Sequence, residues 1–275
     1  MNNVLSTCFK IAGGIVVVSV AAGVTAFVKE RIDEKKESET LQKHPQGFYE
    51  RYVKRPLDCT LATGALIVLS PVLAVTALVV RTKLGSPVVF TQDRPGKEEK
   101  LFKLYKFRTM TDARDESGEL LPDEIRLTRT GKALRASSCD ELLELINIIK
   151  GDMAVVGPRP QLVRDMVFMT PKQRRRHSVR PGLTGLAQIN GRNEITWEEK
   201  LEWDLRYLDK ITFVNDAKIV LRTIAKIRHK EGITDGENAT ALDFGDELLK
   251  DGKVDQATYN NCQIEAKKLL KKAGN

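Results

Sequence analysis

A largely apolar run from Leu57 to Val80 carries Ser70 and Pro71 near its middle and is flanked on both sides by basic residues. The run has the length of a membrane-spanning helix. Proline, however, removes a backbone donor and disfavours helix at the residue before it, so a break or kink is predicted there. Each arm alone falls short of a hydrocarbon core about 30 Å thick at a rise of about 1.5 Å per residue. Arg51, Lys54 and Arg55 precede the run and Arg81 and Lys83 follow it, so both ends are predicted to be cytoplasmic. A bent, re-entrant helix that enters and leaves by one face satisfies both flanks, with Ser70 placed to satisfy a backbone group freed by the proline. An ordinary kinked spanning helix is the alternative.

A second apolar stretch, Ile11 to Val28, contains no charge; Lys10 precedes it, and Lys29, Arg31, Lys35 and Lys36 follow. Its length and its C-terminal basic flank favour an uncleaved transmembrane anchor over a signal peptide, with the N-terminus outside and the rest cytoplasmic. The remainder is too polar for a polytopic membrane protein: 30% of residues are charged and the mean hydropathy is −0.29. With 275 residues and 41% hydrophobic content, the chain is neither a disulfide-stapled miniprotein nor wholly disordered. A net charge of +8 points to a polyanionic partner: nucleic acid, anionic lipid or a phosphorylated small molecule. Cys8, Cys59, Cys139 and Cys262 are scattered, as are His44, His177 and His229, which argues against zinc or a disulfide framework and for a reducing compartment.

The implied organisation is an N-terminal segment (1–10), the anchor (11–28), a polar linker (29–50), a main domain (51–231) containing the re-entrant helix (57–80), and a linker with a C-terminal helical tail (232–275). The fold class is α+β, mainly helical with short strands. PVVFTQDR and LFKLYKFRTM alternate like strands around the Arg94-Pro95-Gly96 turn signal. Leu142, Leu145, Ile146 and Ile149 recur at helical spacing, as do Trp197, Leu201, Leu205 and Leu208. From Ile219 to Arg228, Val220, Ile224 and Ile227 face one way and Lys218, Arg222 and Lys226 another. That pattern suits a helix lying on an anionic membrane, and equally a core helix with a solvated face. No chemistry attaches to the tail.

The chemistry concentrates in RASSCDELLELINIIKGDMAVVGPRP, Arg135 to Pro160. Ser138 followed by Glu141 reads as a capping box, so a helix is predicted to start at Ser138 with Asp140 and Glu141 in its first turn. Both acids could be no more than dipole-favoured capping residues. The same helix end, with Arg135 upstream, suits a phosphate, beside which an aspartate on a rigid apolar helix suits a nucleophile or a divalent-metal ligand. Arg159, between Pro158 and Pro160, is preorganised for a planar or anionic ligand. Adjacent on a helix, Asp140 and Glu141 point about 100° apart and so divide the work.

Together KRPLD with the Ser-Pro segment, FTQDRPG, KFRTM, the SxxDEL segment, KGDMAVVGPRP, VRPGLTGLAQINGRN and Asp216 resemble the bacterial sugar transferase family of monotopic phosphoglycosyl transferases, from about Tyr52 to Arg228. The resemblance implies transfer of a phosphosugar from a nucleotide diphosphate sugar to polyprenol phosphate, usually undecaprenyl phosphate. A nucleoside monophosphate is released at the cytoplasmic face of the bacterial inner membrane, starting glycoconjugate assembly. It implies Asp140 as nucleophile through a covalent phosphosugar intermediate, Glu141 as acid/base, and Mg2+ at Asp140. Arg135 then contacts phosphate and Pro158, Arg159 and Pro160 the nucleotide base. Lys106 and Arg108 contact substrate or the membrane helix, Asp216 is a motif match assigned to substrate binding, and Ser70 and Pro71 form the break of the membrane helix. The implied partners are the donor, the lipid acceptor and inner-membrane lipid, with downstream glycosyltransferases or a second copy as further candidates and no nucleic acid. The sugar stays open among galactose, glucose, N-acetylgalactosamine and bacillosamine types, an N-acetylated UDP-sugar being favoured. The competing functions are a membrane-tethered basic scaffold and a phosphohydrolase of nucleotide sugars.

Overall fold

A computed structural model describes residues 44–191, 195–229 and 242–274; the proposed anchor at 11–28 lies outside them. The described chain is mostly helical with a few short strands, an α+β fold.

Helix α1 (Lys54–Val68) follows a π-helical turn at Tyr49–Val53, and α2 (Ser70–Lys83) follows α1 at a bend of 63°. Leu69, between them, leaves helical geometry at φ −87° and ψ 2°. The Ser70 hydroxyl donates to the Ile67 carbonyl at 2.8 Å, which satisfies an acceptor freed by the proline. No single helix among the described residues is long and apolar enough to cross a membrane, but this bent pair passes the same length and composition test. Leu61, Ile67, Val68, Val75 and Leu78 are exposed along it.

Both ends of the pair rest on the same body. Strands β1 (Val89–Pro95) and β2 (Leu101–Phe107) form an antiparallel hairpin, Val89 opposite Phe107 and Pro95 opposite Leu101. Arg94 and Pro95 still belong to β1, and the turn itself spans Gly96 to Lys100, where a side chain at Gly96 would press on the Phe102 ring. Val80 and Leu84 at the end of α2 pack against Phe107. Helix α3 (Arg129–Ala136) leads toward α4 (Glu144–Lys150), whose Leu145 and Ile148 pack with Ala62 of α1 and Leu104 of β2. Asn147, fully buried, donates to the Lys103 carbonyl at 2.7 Å and accepts from Tyr105 N at 3.0 Å, fastening α4 to β2.

Two three-residue strands, β3 (Ala154–Val156) and β4 (Gly182–Thr184), pair in parallel. After α5 (Val163–Met166) and β4 come α6 (Trp197–Asp209), started by a Thr196–Glu199 capping box, and α7 (Phe213–His229). On α7, Ile219 and Asp216 are buried, while Phe213, Val214, Leu221 and Ile224 form an exposed apolar stripe edged by exposed Lys218 and Arg222. One face of this helix is therefore core, with Val220 packed against it, and the opposite face is apolar and unburied. The tail folds as α8 (Phe244–Lys250) and α9 (Gln256–Ala273).

Asp216 sits in a buried knot. It accepts from Lys54 Nζ at 2.6 Å and from the Tyr49 hydroxyl at 3.0 Å, and the Tyr207 hydroxyl lies 3.0 Å from its other oxygen. Asp58, one turn after Lys54, is 3.6 Å from the same ammonium and accepts from Val155 N at 3.3 Å. Removing one partner strands a buried charge. Asp216→Ala is therefore expected to cost about 3–5 kcal/mol in denaturant or thermal unfolding. The KM for donor of the molecules that remain folded should not change, which a direct substrate contact would not allow.

Candidate active site

A cleft of about 1040 Å3 runs between the β1–β2 hairpin, the α3–α4 segment and the loop after β3. Asp140, Glu141, Lys106, Arg108, Arg135, Arg159 and Pro160 all border it. Pro158 is buried behind the loop, its carbonyl accepting from Gly182 N at 2.9 Å, and Asp216 lies apart from the cleft.

The local path into the acidic pair differs from the expected capping box. Ser138 makes no side-chain cap and is left-handed at φ 54°. Asp140 and Glu141 then occupy a single 3-10 turn, Cys139–Glu141, and regular helix resumes only at Glu144. An N-cap residue needs extended backbone. The chain has no room for one, because α3 ends only two residues before Ser138. Among the described residues no helix N–H bonds to either carboxylate, so the acids do not serve as caps.

What shapes them is burial and fixed cations. Glu141 accepts from Lys106 Nζ at 2.9 Å and pairs with the Arg159 guanidinium. Burial works to raise the Glu141 carboxyl, but Arg159 and then Lys106 overcome it and hold the group well below the usual carboxylate range. Asp140 is only 8% exposed and enters no ion pair or hydrogen bond among the described residues. Burial first, and the neighbouring Glu141 charge second, push its carboxyl up to about 6 against the pull of Lys106, Arg135 and Arg159. Glu144, buried and 3.2 Å from Lys106 Nζ, is also pushed up, chiefly by burial. Asp140 and Glu141 thus have opposite characters: Glu141 is held charged by its pairs, and Asp140 is buried without a partner among the described residues.

The Arg159 loop is held from behind. Arg176, 2% exposed, is paired at 2.6 Å with Asp204 and also donates at 2.6 Å to the Arg159 carbonyl. Gly157 and Gly182 meet backbone to backbone, and a Cβ on Gly182 would fall 2.1 Å from Gly157 N, so only glycine permits this approach. Arg135 Nε donates to Thr109 Oγ1 at 3.2 Å from the rim. Arg108 is spent on structure, donating to the Ser86 and Met110 carbonyls at 2.6 and 2.7 Å and pairing with Asp112.

Three cleft residues escaped the sequence reading. Glu144 stands four residues after Asp140, the spacing that shares a helix face. Arg94 and Gln188 lie inside motifs quoted above, but nothing local marked them; in the fold, Arg94 Nε and both Gln188 amide atoms are buried without hydrogen-bond partners among the described residues. Among the described residues no group of three or more His, Cys, Asp or Glu side chains is arranged to hold a metal ion. Asp140 alone offers a disengaged carboxylate, which fits an ion such as Mg2+ that is held by one or two carboxylates together with substrate phosphates.

Lys106, Arg135 and Arg159 around the buried Asp140 carboxylate define a site suited to an anionic substrate, in a body that also carries the bent apolar helix pair. Residues 49–230 match the bacterial sugar transferase family, and the chain belongs to it. It is 52% identical over 192 residues to the "Uncharacterized sugar transferase EpsL" of Bacillus subtilis (strain 168), covering 70% of this chain and 95% of that protein. It is 39% identical to the UDP-glucose:undecaprenyl-phosphate glucose-1-phosphate transferase of Klebsiella pneumoniae, over 63% of this chain and 39% of that one. It is 33% identical to the UDP-N-acetylgalactosamine-undecaprenyl-phosphate N-acetylgalactosaminephosphotransferase of Aeromonas hydrophila, over 72% and 48%. The matched part thus spans less than half of these two longer relatives.

The raised carboxyl of Asp140 has a stability consequence. The folded protein holds this proton up to about pH 6, whereas an unfolded chain releases it near its ordinary value, so ionisation destabilises the fold as pH rises between the two. Asp140→Asn should be more stable than wild type by about 2–3 kcal/mol at neutral pH and above, and the gain should vanish once the pH falls below about 4. Thermal unfolding across pH checks this; a pH-independent difference would contradict the assignment.

Proposed function

We propose that the protein transfers a phosphosugar from a UDP-sugar to undecaprenyl phosphate, forming the polyprenol diphosphate sugar and UMP at the cytoplasmic face of the bacterial inner membrane. The observation that carries this reading is Asp140: buried, unpaired and set among Lys106, Arg135 and Arg159. The activities named for the Klebsiella and Aeromonas relatives support the reaction class and leave glucose and N-acetylgalactosamine both open as the sugar.

In the first step an Asp140 oxygen attacks the phosphorus that bears the sugar, the bond from that phosphorus to the UMP oxygen breaks, and UMP leaves. In the second, an oxygen of the lipid phosphate attacks the same phosphorus, the bond to Asp140 breaks, and the carboxylate is regenerated. Meeting of two anions requires positive charge around them, which Lys106, Arg135 and Arg159 supply. Mg2+ held by Asp140 and the donor phosphates would add Lewis-acid charge neutralisation. Arg159, whose side chain is 39% exposed, can exchange Glu141 for the incoming diphosphate, and that exchange would free Glu141 to take up or give a proton.

Both ends of the bent pair rest on the one domain, which supports re-entrance rather than spanning. The apolar surface of the pair and the stripe on α7 would be immersed, with Lys218 and Arg222 at the headgroups. The stretch at 11–28 would add a spanning anchor.

With undecaprenyl phosphate and radiolabelled UDP-sugars, the wild type should form a lipid-linked sugar and release UMP. Asp140→Asn should abolish transfer, and EDTA should stop it until Mg2+ is restored. A water-soluble sugar product would instead indicate hydrolysis, and transfer by Asp140→Asn would overturn the nucleophile. For topology, cysteines at Gln46 and Lys100 in a background lacking native cysteines should both react with impermeant thiol reagents only from the cytoplasmic side. Labelling from opposite sides would establish a spanning helix.

A further inference from the structure

The family match stops at residue 230, yet the tail beyond it reaches the cleft: Leu242 and Asp243 border the same cavity as Asp140 and Glu141. The docking is extensive. Asp165, 1% exposed, accepts from Phe244 N at 3.0 Å, and Trp197 Nε1 donates to the Leu242 carbonyl at 2.9 Å. Phe244 is buried with its ring centroid 5.3 Å from that of Trp197, and Gly245 lies so close to Phe168 that a Cβ would fall 2.4 Å from the ring. Ala266 of α9 is buried against Val163 and Met166 of α5. These contacts position the residues just before Phe244 from both sides.

Asp243 pairs there with Arg164, and its side chain is 14% exposed. A carboxylate has about four acceptor sites, so one guanidinium leaves some of them unfilled. Among the described residues the Gln188 amide and Arg94 Nε in the lining of the same cleft are buried without hydrogen-bond partners, the two Arg94 Nη groups donating to the Pro160 carbonyl and Gln92 Oε1, so the wall keeps polar atoms that a ligand can answer. A guanidinium suits a diphosphate, an amide suits an imide or acetamide edge, and an acidic acceptor suits hydroxyls.

We propose that Asp243 is a specificity-determining residue of the donor pocket, its carboxylate accepting hydrogen bonds from the sugar or ribose hydroxyls of a nucleoside diphosphate sugar, and that the C-terminal tail is the wall holding it there. This rests on the donor class proposed above. The tail is then part of the substrate site, outside the family domain, where it can tune donor choice without altering the dyad.

The test is equilibrium binding of UDP-glucose, UDP-N-acetylgalactosamine and UMP to the full-length protein carrying Asp140→Asn, which blocks turnover. Adding Asp243→Asn, which keeps the shape and removes the charged acceptor, should weaken at least one UDP-sugar by about tenfold. Unchanged UMP binding would assign the hydroxyls to the sugar; equal weakening of UMP would assign them to the ribose. Lys253→Ala, which removes an exposed pair with Glu198 on the outside of the tail, should bind all three as before. Unaltered binding by Asp243→Asn overturns the proposal, as does an equal loss in Lys253→Ala, since the loss would then come from a loosened tail. Should wild type bind these donors yet form no lipid-linked sugar, the transfer reading falls while the binding comparison still decides the role of Asp243.

Discussion

The buried ion pair between Lys54 and Asp216 ties the apolar helix pair to the catalytic body, and the placement of the site depends on it. An ion pair of this kind gains little net stability over an apolar substitute, because desolvation offsets most of the attraction. Its effect is positional. With Tyr49, Tyr207 and Asp58 satisfying the remaining valences, this docking of α1 on α7 and β3 leaves neither Lys54 nor Asp216 stranded. From there the constraint passes to the dyad. Arg55, next to Lys54, donates to the last carbonyls of α4 at 2.5 and 2.8 Å, and Asn147 locks the same helix to β2, which carries Lys106. A helix fixed at its C-terminal end by α1 and along its flank by the hairpin presents its N-terminal approach, with Asp140 and Glu141, to the cleft.

The site is strained electrostatically rather than sterically. Three carboxylates, Asp140, Glu141 and Glu144, share a small volume with Lys106 and Arg159. Lys106 is shared between Glu141 and Glu144, Arg159 pairs with Glu141, and Asp140 is left buried without a partner among the described residues. Such an arrangement lowers the stability of the empty protein and is expected where function, not folding, selects the residues.

The parts legible in the sequence were those whose cause is local. Proline at 71 breaks a helix wherever it stands, and the observed bend, with Ser70 bonding back to Ile67, is what the dipeptide requires. The β1–β2 alternation and the Trp197 periodicity are likewise properties of short segments. The misread feature is instructive. Ser-x-x-Glu marks a cap only if the residue can be extended, and α3 arrives too close upstream to allow it, so Ser138 turns left-handed. Asp216, in the first turn of α7, looks locally like any dipole-favoured acid; its partners are at positions 49, 54 and 207, and no segment shows that. The parallel β3–β4 pair, three residues a strand, is below any periodicity signal and exists because Gly157 and Gly182 let two backbones touch. The tail is the extreme case, since its share in the cleft comes wholly from tertiary docking.

Arg159 shows how rigidity and exchange coexist in one residue. Its backbone is fixed by Arg176 on its own carbonyl, by the prolines on either side and by the glycine contact behind the loop. Its side chain, in contrast, is over a third exposed and held mainly by Glu141. A guanidinium on a fixed stalk can trade one anion for another without moving the loop, so donor binding need not be coupled to a backbone rearrangement. The trade also changes the site it leaves. Glu141 loses its stronger cation, and its proton affinity rises.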